Sequence, residues 1–214
     1  AMFVLIFSEA FSGQAVEGGI LGIAIIGITR AAFSNEAGIG SAAIAHAAAK
    51  TEEPAREGIV AMIGPFIDTI VICTMTALVV LLTGVYKDPN LQGKGAEMTA
   101  TAFGSVIPGA EIALAIIICL FAYSTMISWE YYGERAWEYL FGSGSLLIFR
   151  LLFILFVWIG AVSQLANVIS FSDLMILSMA FPNIIGGIIL SPLIKEKLQE
   201  YWARLQRGEM RRFK

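Results

Sequence analysis

Charge is what this chain has least of. Asp, Glu, Lys and Arg together make up 14% of its 214 residues, where a soluble domain carries about a quarter, so an ordinary water-facing surface cannot be built from it. There is one histidine, His46, and there are two cysteines, Cys73 and Cys119, set far apart in apolar runs. Two thiols so placed give no disulfide framework and read as packing residues. No His and Cys cluster has metal-ligand spacing, no Ser, His and Asp set presents itself, and no glycine-rich loop follows a strand to cradle phosphate. The residues give catalysis no support, and the chain reads as no enzyme. Its opening, "AMFVLIFSEAFSG", lacks an initiator methionine, a basic stretch and a small-residue cleavage site. It therefore reads as part of a longer protein, a fragment, and not as a signal peptide.

What is present is hydrophobic. Apolar residues make up 57% and the mean hydropathy is +0.77, which describes an all-α integral membrane protein. A hydrocarbon core about 30 Å thick needs about 20 residues of helix. That ruler predicts five transmembrane helices: 18–49, broken near 33–40, then 59–84, 110–132, 146–166 and 172–191. The transmembrane region thus reaches residue 192, and a basic amphipathic tail takes 193–214. The tail carries Lys195, Lys197, Arg204, Arg207, Arg211, Arg212 and Lys214, so its expected side is the cytoplasm. Counting spans back from it puts the Lys50 and Arg56 loop and the Glu134 and Arg135 loop on that same side. The loop from Tyr86 to Pro108 then falls outside. Ile194, Leu198, Tyr201, Trp202 and Leu205 recur at helical spacing, which suits either a helix on the anionic inner surface or a solvated tail.

The stretch "FSNEAGIGS", Phe33 to Ser41, interrupts the first span. Residues 18–32 and 37–49 are each about 20 Å of helix, too short to cross alone, and together they suffice. Backbone unwound at membrane depth is tolerated only against protein or a watery cavity. A break there predicts a cavity with free amides on one side and free carbonyls on the other, which suits a zwitterion and a small cation. Gly38 and Gly40 permit the required backbone, while Ser34, Asn35 and Glu36 add side-chain oxygens. The other reading of the same residues is a span ending near Ala32, a polar turn and a surface helix, with Arg30 and Glu36 as an ion pair closing the gap. In the third span Phe121, Thr125 and Trp129 recur every four residues beside Ser124 and Ser128, giving one aromatic and hydroxylic stripe. Hydroxyls are ligands that an alkali cation accepts, although Ser and Thr in spans also bond their own helix. Asp68 suits a proton or cation relay or an acid held by hydroxyl partners. His46, Trp158, Pro182 and Asn183 read as packing or kink residues.

Two segments carry a family resemblance: "TRAAFSNEAGIGSAAIAHAAAKTEEPAREGIVAMIGPFIDTIVICTMTALVVLLTG" and "STMISWEYYGERAWEYLFG". The chain resembles the sodium:alanine symporters of the alanine or glycine:cation symporter family over essentially its whole length. The resemblance implies the carboxy-terminal half of a leucine-transporter-like fold, in which two inverted five-helix repeats surround a midplane site. By that comparison the first span is the broken sixth helix and the third is the eighth. Phe33, Ser34, Asn35, Glu36 and Gly38 would border the amino acid, with Thr125 and Trp129 from the eighth helix, and Ser124 and Thr125 would ligate sodium. Ser128 and Glu130 depart from the family pattern, which has Gly and a small or neutral residue there.

The expected function is symport of a small neutral amino acid, alanine or glycine, with sodium across the cytoplasmic membrane. The protein would be multi-pass with a cytoplasmic carboxy-terminus. Its partners would be the amino acid, sodium or a proton in its place, the lipid bilayer and the amino-terminal half of the same transporter, with no nucleic acid. The alternatives are an ion or small-solute channel subunit and a structural membrane subunit.

Overall fold

A computed structural model describes residues 34–210 together with Val4, Ser8, Ile25, Gly27, Ile28, Arg30 and Ala31. Phe33 and most of 18–32 lie outside the described residues. Among the described residues every regular element is a helix. A short helix, α1 (Ser41–Ala47), precedes α2 (Pro54–Thr83). Then come α3 (Gly95–Gly104), α4 (Ala110–Phe141), α5 (Leu146–Val162) and α6 (Leu165–Gln206). The regions of α2, α4, α5 with its leading turn, and α6 are long and apolar enough to cross a bilayer. Large apolar side chains on them, such as Phe121, Trp158 and Ile189, stand exposed, as they must where the surrounding medium is hydrocarbon.

Local chemistry explains the helix boundaries. Pro54 opens α2 at its first turn, where a missing N–H removes no helical bond. Pro65 lies inside α2, and the eight residues after it, Phe66–Cys73, wind as a π-helix, a winding that recurs at functional sites. Gly84, at φ 73°, ends α2. The helix α4 continues to Phe141 instead of stopping near residue 132, so Glu134 and Arg135 are helical and not in a loop. That segment contains no proline to end the turn, and Arg135 pairs along it with Glu138 at 2.7 Å. The tail is likewise no separate element, because α6 runs through Pro182 and Pro192 to Gln206. Each proline removes one backbone bond, and the turns on either side hold the rod together.

Two compact units divide the chain, one containing residues 69–157 and the other residues 34–68 and 158–210. In the first, α3 packs against the end of α2 and the start of α4, with Ala102 fully buried. There α4 also packs on α5 at Gly133, where an added Cβ would sit 2.6 Å from Phe149 Cζ. One residue on along each helix, the Arg150 guanidinium donates to buried Glu134 through Nε (3.0 Å) and Nη2 (3.2 Å). Trp137 Nε1 donates to Ser145 Oγ at 2.9 Å and closes the turn between the two helices. In the second unit, the carboxy-terminal part of α6 packs against Pro54–Ala61. Arg204 Nη2 meets Glu53 Oε1 there at 2.7 Å.

Candidate functional site

Helical geometry ends at Asn35 and resumes at Ser41. Between them Glu36 takes φ 57°, the sole positive value of a non-glycine residue among those described, and Gly38 and Gly40 take 84° and 109°. A left-handed Glu costs about 1–3 kcal/mol and persists only where its surroundings hold it. The hydrogen bonds show how it is held. Ala37 N donates to Asn35 Oδ1 at 3.0 Å, an Asx turn that replaces the lost helical bond. Ile39 N donates to the Glu36 carbonyl at 3.3 Å. Ile39 is 2% exposed and anchors the turn, and Ser41 beyond it is fully buried.

Side chains from distant parts of the sequence complete the support. Ser34 Oγ donates to Asp68 Oδ2 at 2.8 Å, which joins the edge of the break to the π-wound part of α2. Arg30, before the break, pairs with Asp173 of α6. Asn183, on α6 beside Pro182, donates through Nδ2 to the Gly38 carbonyl at 2.9 Å. All these groups belong to the second unit. Of the residues expected at the amino-acid site, Ser34, Asn35, Glu36 and Gly38 therefore lie within one interrupted turn. Phe33 lies outside the described residues.

The remaining expected residues, Ser124, Thr125 and Trp129, belong to the first unit and follow one another on α4. Ser124 Oγ donates to the Phe121 carbonyl at 2.9 Å, and Ser128 Oγ donates to the Ser124 carbonyl at 3.0 Å. These bonds use the hydroxyl protons and leave oxygen lone pairs, which are what a cation binds. Thr125 is exposed. Trp129 is half-buried and meets Tyr132 edge-on at 5.9 Å.

Set beside known proteins, the whole chain, residues 1–214, matches the sequence profile of the sodium:alanine symporter family. The chain belongs to that family. It is 42% identical over 201 residues to the sodium/alanine symporter AgcS of Methanococcus maripaludis, covering 93% of this chain and 44% of that protein. It is 37% identical over 197 residues to the amino-acid carrier protein AlsT of Bacillus subtilis, covering 91% and 42%. A sodium/proton-dependent alanine carrier protein of Bacillus sp. strain PS3 is 31% identical over 226 residues, covering 97% and 51%. The chain thus spans about half the length of these relatives. Its family is one of symporters.

Three residues around the break gain roles that the sequence did not assign. Asn183 and Asp173 reach the broken segment from α6, and their partners lie 145 and 143 residues away. The available signal was an amide and a carboxylate inside an apolar span, since such groups need partners there. His46, expected only to pack, has Nδ1 2.7 Å from Glu57 Oε1.

Proposed function

We propose that this chain is the part of a secondary transporter that presents a broken helix to a small neutral amino acid, alanine or glycine, and carries it with sodium across the cytoplasmic membrane. The observation that carries the reading is the interrupted turn from Glu36 to Gly40 in a chain of the sodium:alanine symporter family. Helical bonding is interrupted there, and interrupted helices near the middle of the membrane are where secondary transporters bind small zwitterions, with Phe33, Ser34, Asn35, Glu36 and Gly38 bordering the amino acid in this reading. The family resemblance would add Thr125 and Trp129 to the residues bordering the amino acid and give the Ser124 and Thr125 hydroxyls to sodium. Because the chain spans about half of its relatives' length, the working unit in this reading is the longer transporter. In it this segment forms the second of two inverted repeats, and the first repeat supplies the rest of the contacts.

In the cycle, sodium and amino acid bind together and stabilise an occluded state more than the open ones. Equal affinity for every state would shift nothing. The basic end of α6 lies in the cytoplasm by the excess of Lys and Arg near it, and the segment from Tyr86 to Pro108, with α3, covers the outer side. A proton in place of sodium is the second reading. It is favoured by the relative named sodium/proton-dependent and by the Ser34 to Asp68 contact, which places a carboxylate at the break. Family membership gives a channel no support. The full-length transporter in proteoliposomes tests the proposal: alanine uptake should saturate and rise with an inward sodium gradient. Uptake indifferent to both sodium and proton gradients would refute it.

A further inference from the structure

We propose that Asn183 is the positioning residue of the break: its amide fixes the Gly38 carbonyl, and so α6 sets the affinity of the amino-acid site without touching the amino acid. The proposal rests on the reading of that turn as the amino-acid site.

The geometry gives Asn183 two holds on the turn. Its Nδ2 donates to the Gly38 carbonyl at 2.9 Å. Its Cβ, Cγ and Oδ1 stand 3.4–3.5 Å from where a Cβ on Gly40 would be, so the same side chain packs against the second glycine. Gly38 and Gly40 have φ of 84° and 109°. Glycine loses more conformational freedom on ordering than any other residue, so a turn built on two of them needs an external tether to present one arrangement of peptide groups. Holding the Gly38 carbonyl toward α6 turns that peptide unit and constrains its neighbours at Ala37 and Ile39.

The attachment on α6 also matters. Pro182, one residue before Asn183, has no N–H, so α6 lacks one internal bond at this level, and helices bend where such a bond is missing. A second tie, Asp173 to Arg30, lies ten residues earlier on α6, about 15 Å along the helix. The two ties straddle Pro182, so a change of bend at the proline alters their spacing and moves the Gly38 carbonyl relative to Arg30. A side chain that merely satisfied its own polarity would not couple bending to binding.

The test uses the full-length transporter in proteoliposomes. Asn183→Asp keeps the shape and removes the donor, and Asn183→Ala removes the donor and every packing atom beyond Cβ. A hydrogen bond is worth about 1 kcal/mol net, so both variants should raise the half-saturating alanine concentration about fivefold to tenfold, with the maximal rate per transporter within about twofold. Asn183→Gln, which retains an amide donor, should recover part of the affinity, and it supplies the readout if the other two fail to accumulate. An unchanged half-saturation in all three, or a fall in maximal rate alone, overturns the proposal. A second readout is independent of transport. With Cys73 and Cys119 replaced by Ala, the exposed Ala37→Cys site is labelled with a soluble thiol reagent. Asn183→Ala should speed labelling several-fold, and an unchanged rate also overturns the role. If the wild-type protein takes up no alanine, the proposed function fails, while the labelling rates still decide the case of Asn183.

Discussion

The turn from Asn35 to Ser41 and the hydroxyl stripe of α4 both place polar groups in apolar elements, and they satisfy them in opposite ways. In α4 the helix is intact and the side chains are the problem. Ser124 and Ser128 solve it locally, by donating to carbonyls three and four residues back. In the broken turn the backbone is the problem, and part of its solution is remote: Asn183 takes the Gly38 carbonyl and Asp68 takes Ser34. The difference shows which site is autonomous. The stripe on α4 needs only its own helix, whereas the broken turn depends on α2 and α6 being in place.

The largest effect should come from forcing the broken turn to accept a side chain. Gly40→Ala puts a Cβ on a residue at φ 109° and against Asn183. Strain of about 1–3 kcal/mol should cut sodium-driven amino-acid uptake per transporter by about fivefold to more than about a hundredfold. Uptake within twofold of wild type would show that the turn can be rebuilt without its glycine, and the contrast with α4 would lose its basis. Ser124→Ala and Thr125→Ala come next. If those oxygens meet sodium, the half-saturating sodium concentration should rise about tenfold, equivalent to about 1.4 kcal/mol, with thermal stability unchanged. An unaltered sodium dependence would leave Ser124 with its back-bond to Phe121 alone.

Gly133→Ala should act on stability and not on coupling. Its methyl would press on Phe149, and overpacking costs about 1–3 kcal/mol, visible as a melting temperature lowered by a few degrees in detergent. The sodium half-saturation should stay put, and a shift in it would tie the packing of α4 on α5 to the stripe. The smallest effect is expected beyond the end of α6, where the Arg207 guanidinium bonds Glu209 at 2.6 and 3.1 Å and holds its carboxyl below the usual carboxylate range. A carboxyl lowered by folding stabilises above its unfolded pKa and loses that contribution as pH falls through the folded one. The segment after Gln206 should therefore loosen only in acid, below the ordinary carboxylate range, as faster proteolysis at Arg207. Glu209→Gln should remove the acid dependence without changing uptake.

The two regions also differed in how far the sequence revealed them. Hydropathy and length marked the apolar helices because a bilayer reads only those two properties. Gly38 and Gly40, with Ser34, Asn35 and Glu36 between apolar runs, marked where helical bonding would be costly to keep. The π-winding after Pro65 could not be read, because proline announces a disturbed helix without saying how the chain will absorb it. Nor could the continuity of α6 past Pro192: the sequence predicts a kink at Pro182 in a span that stops near residue 191, whereas the surrounding turns carry the helix on to Gln206. The pairing of Arg204 with Glu53 was equally hidden, since a basic tail obeys the same orientation rule whether it lies on lipid or packs on Pro54–Ala61.

By itself, then, the amino-acid sequence determined that this chain is helical and apolar enough for a membrane, and that one apolar stretch is punctuated by residues suited to a break. These properties follow from solvent, helix rise and glycine's missing side chain, all of which act within a few residues. Only the tertiary structure decided what holds the broken turn: which carbonyl Asn183 takes, which hydroxyl Asp68 takes and which cation Asp173 meets. Those partners lie up to 145 residues away, and a hydrogen bond depends on distance and angle in space, which no local pattern records.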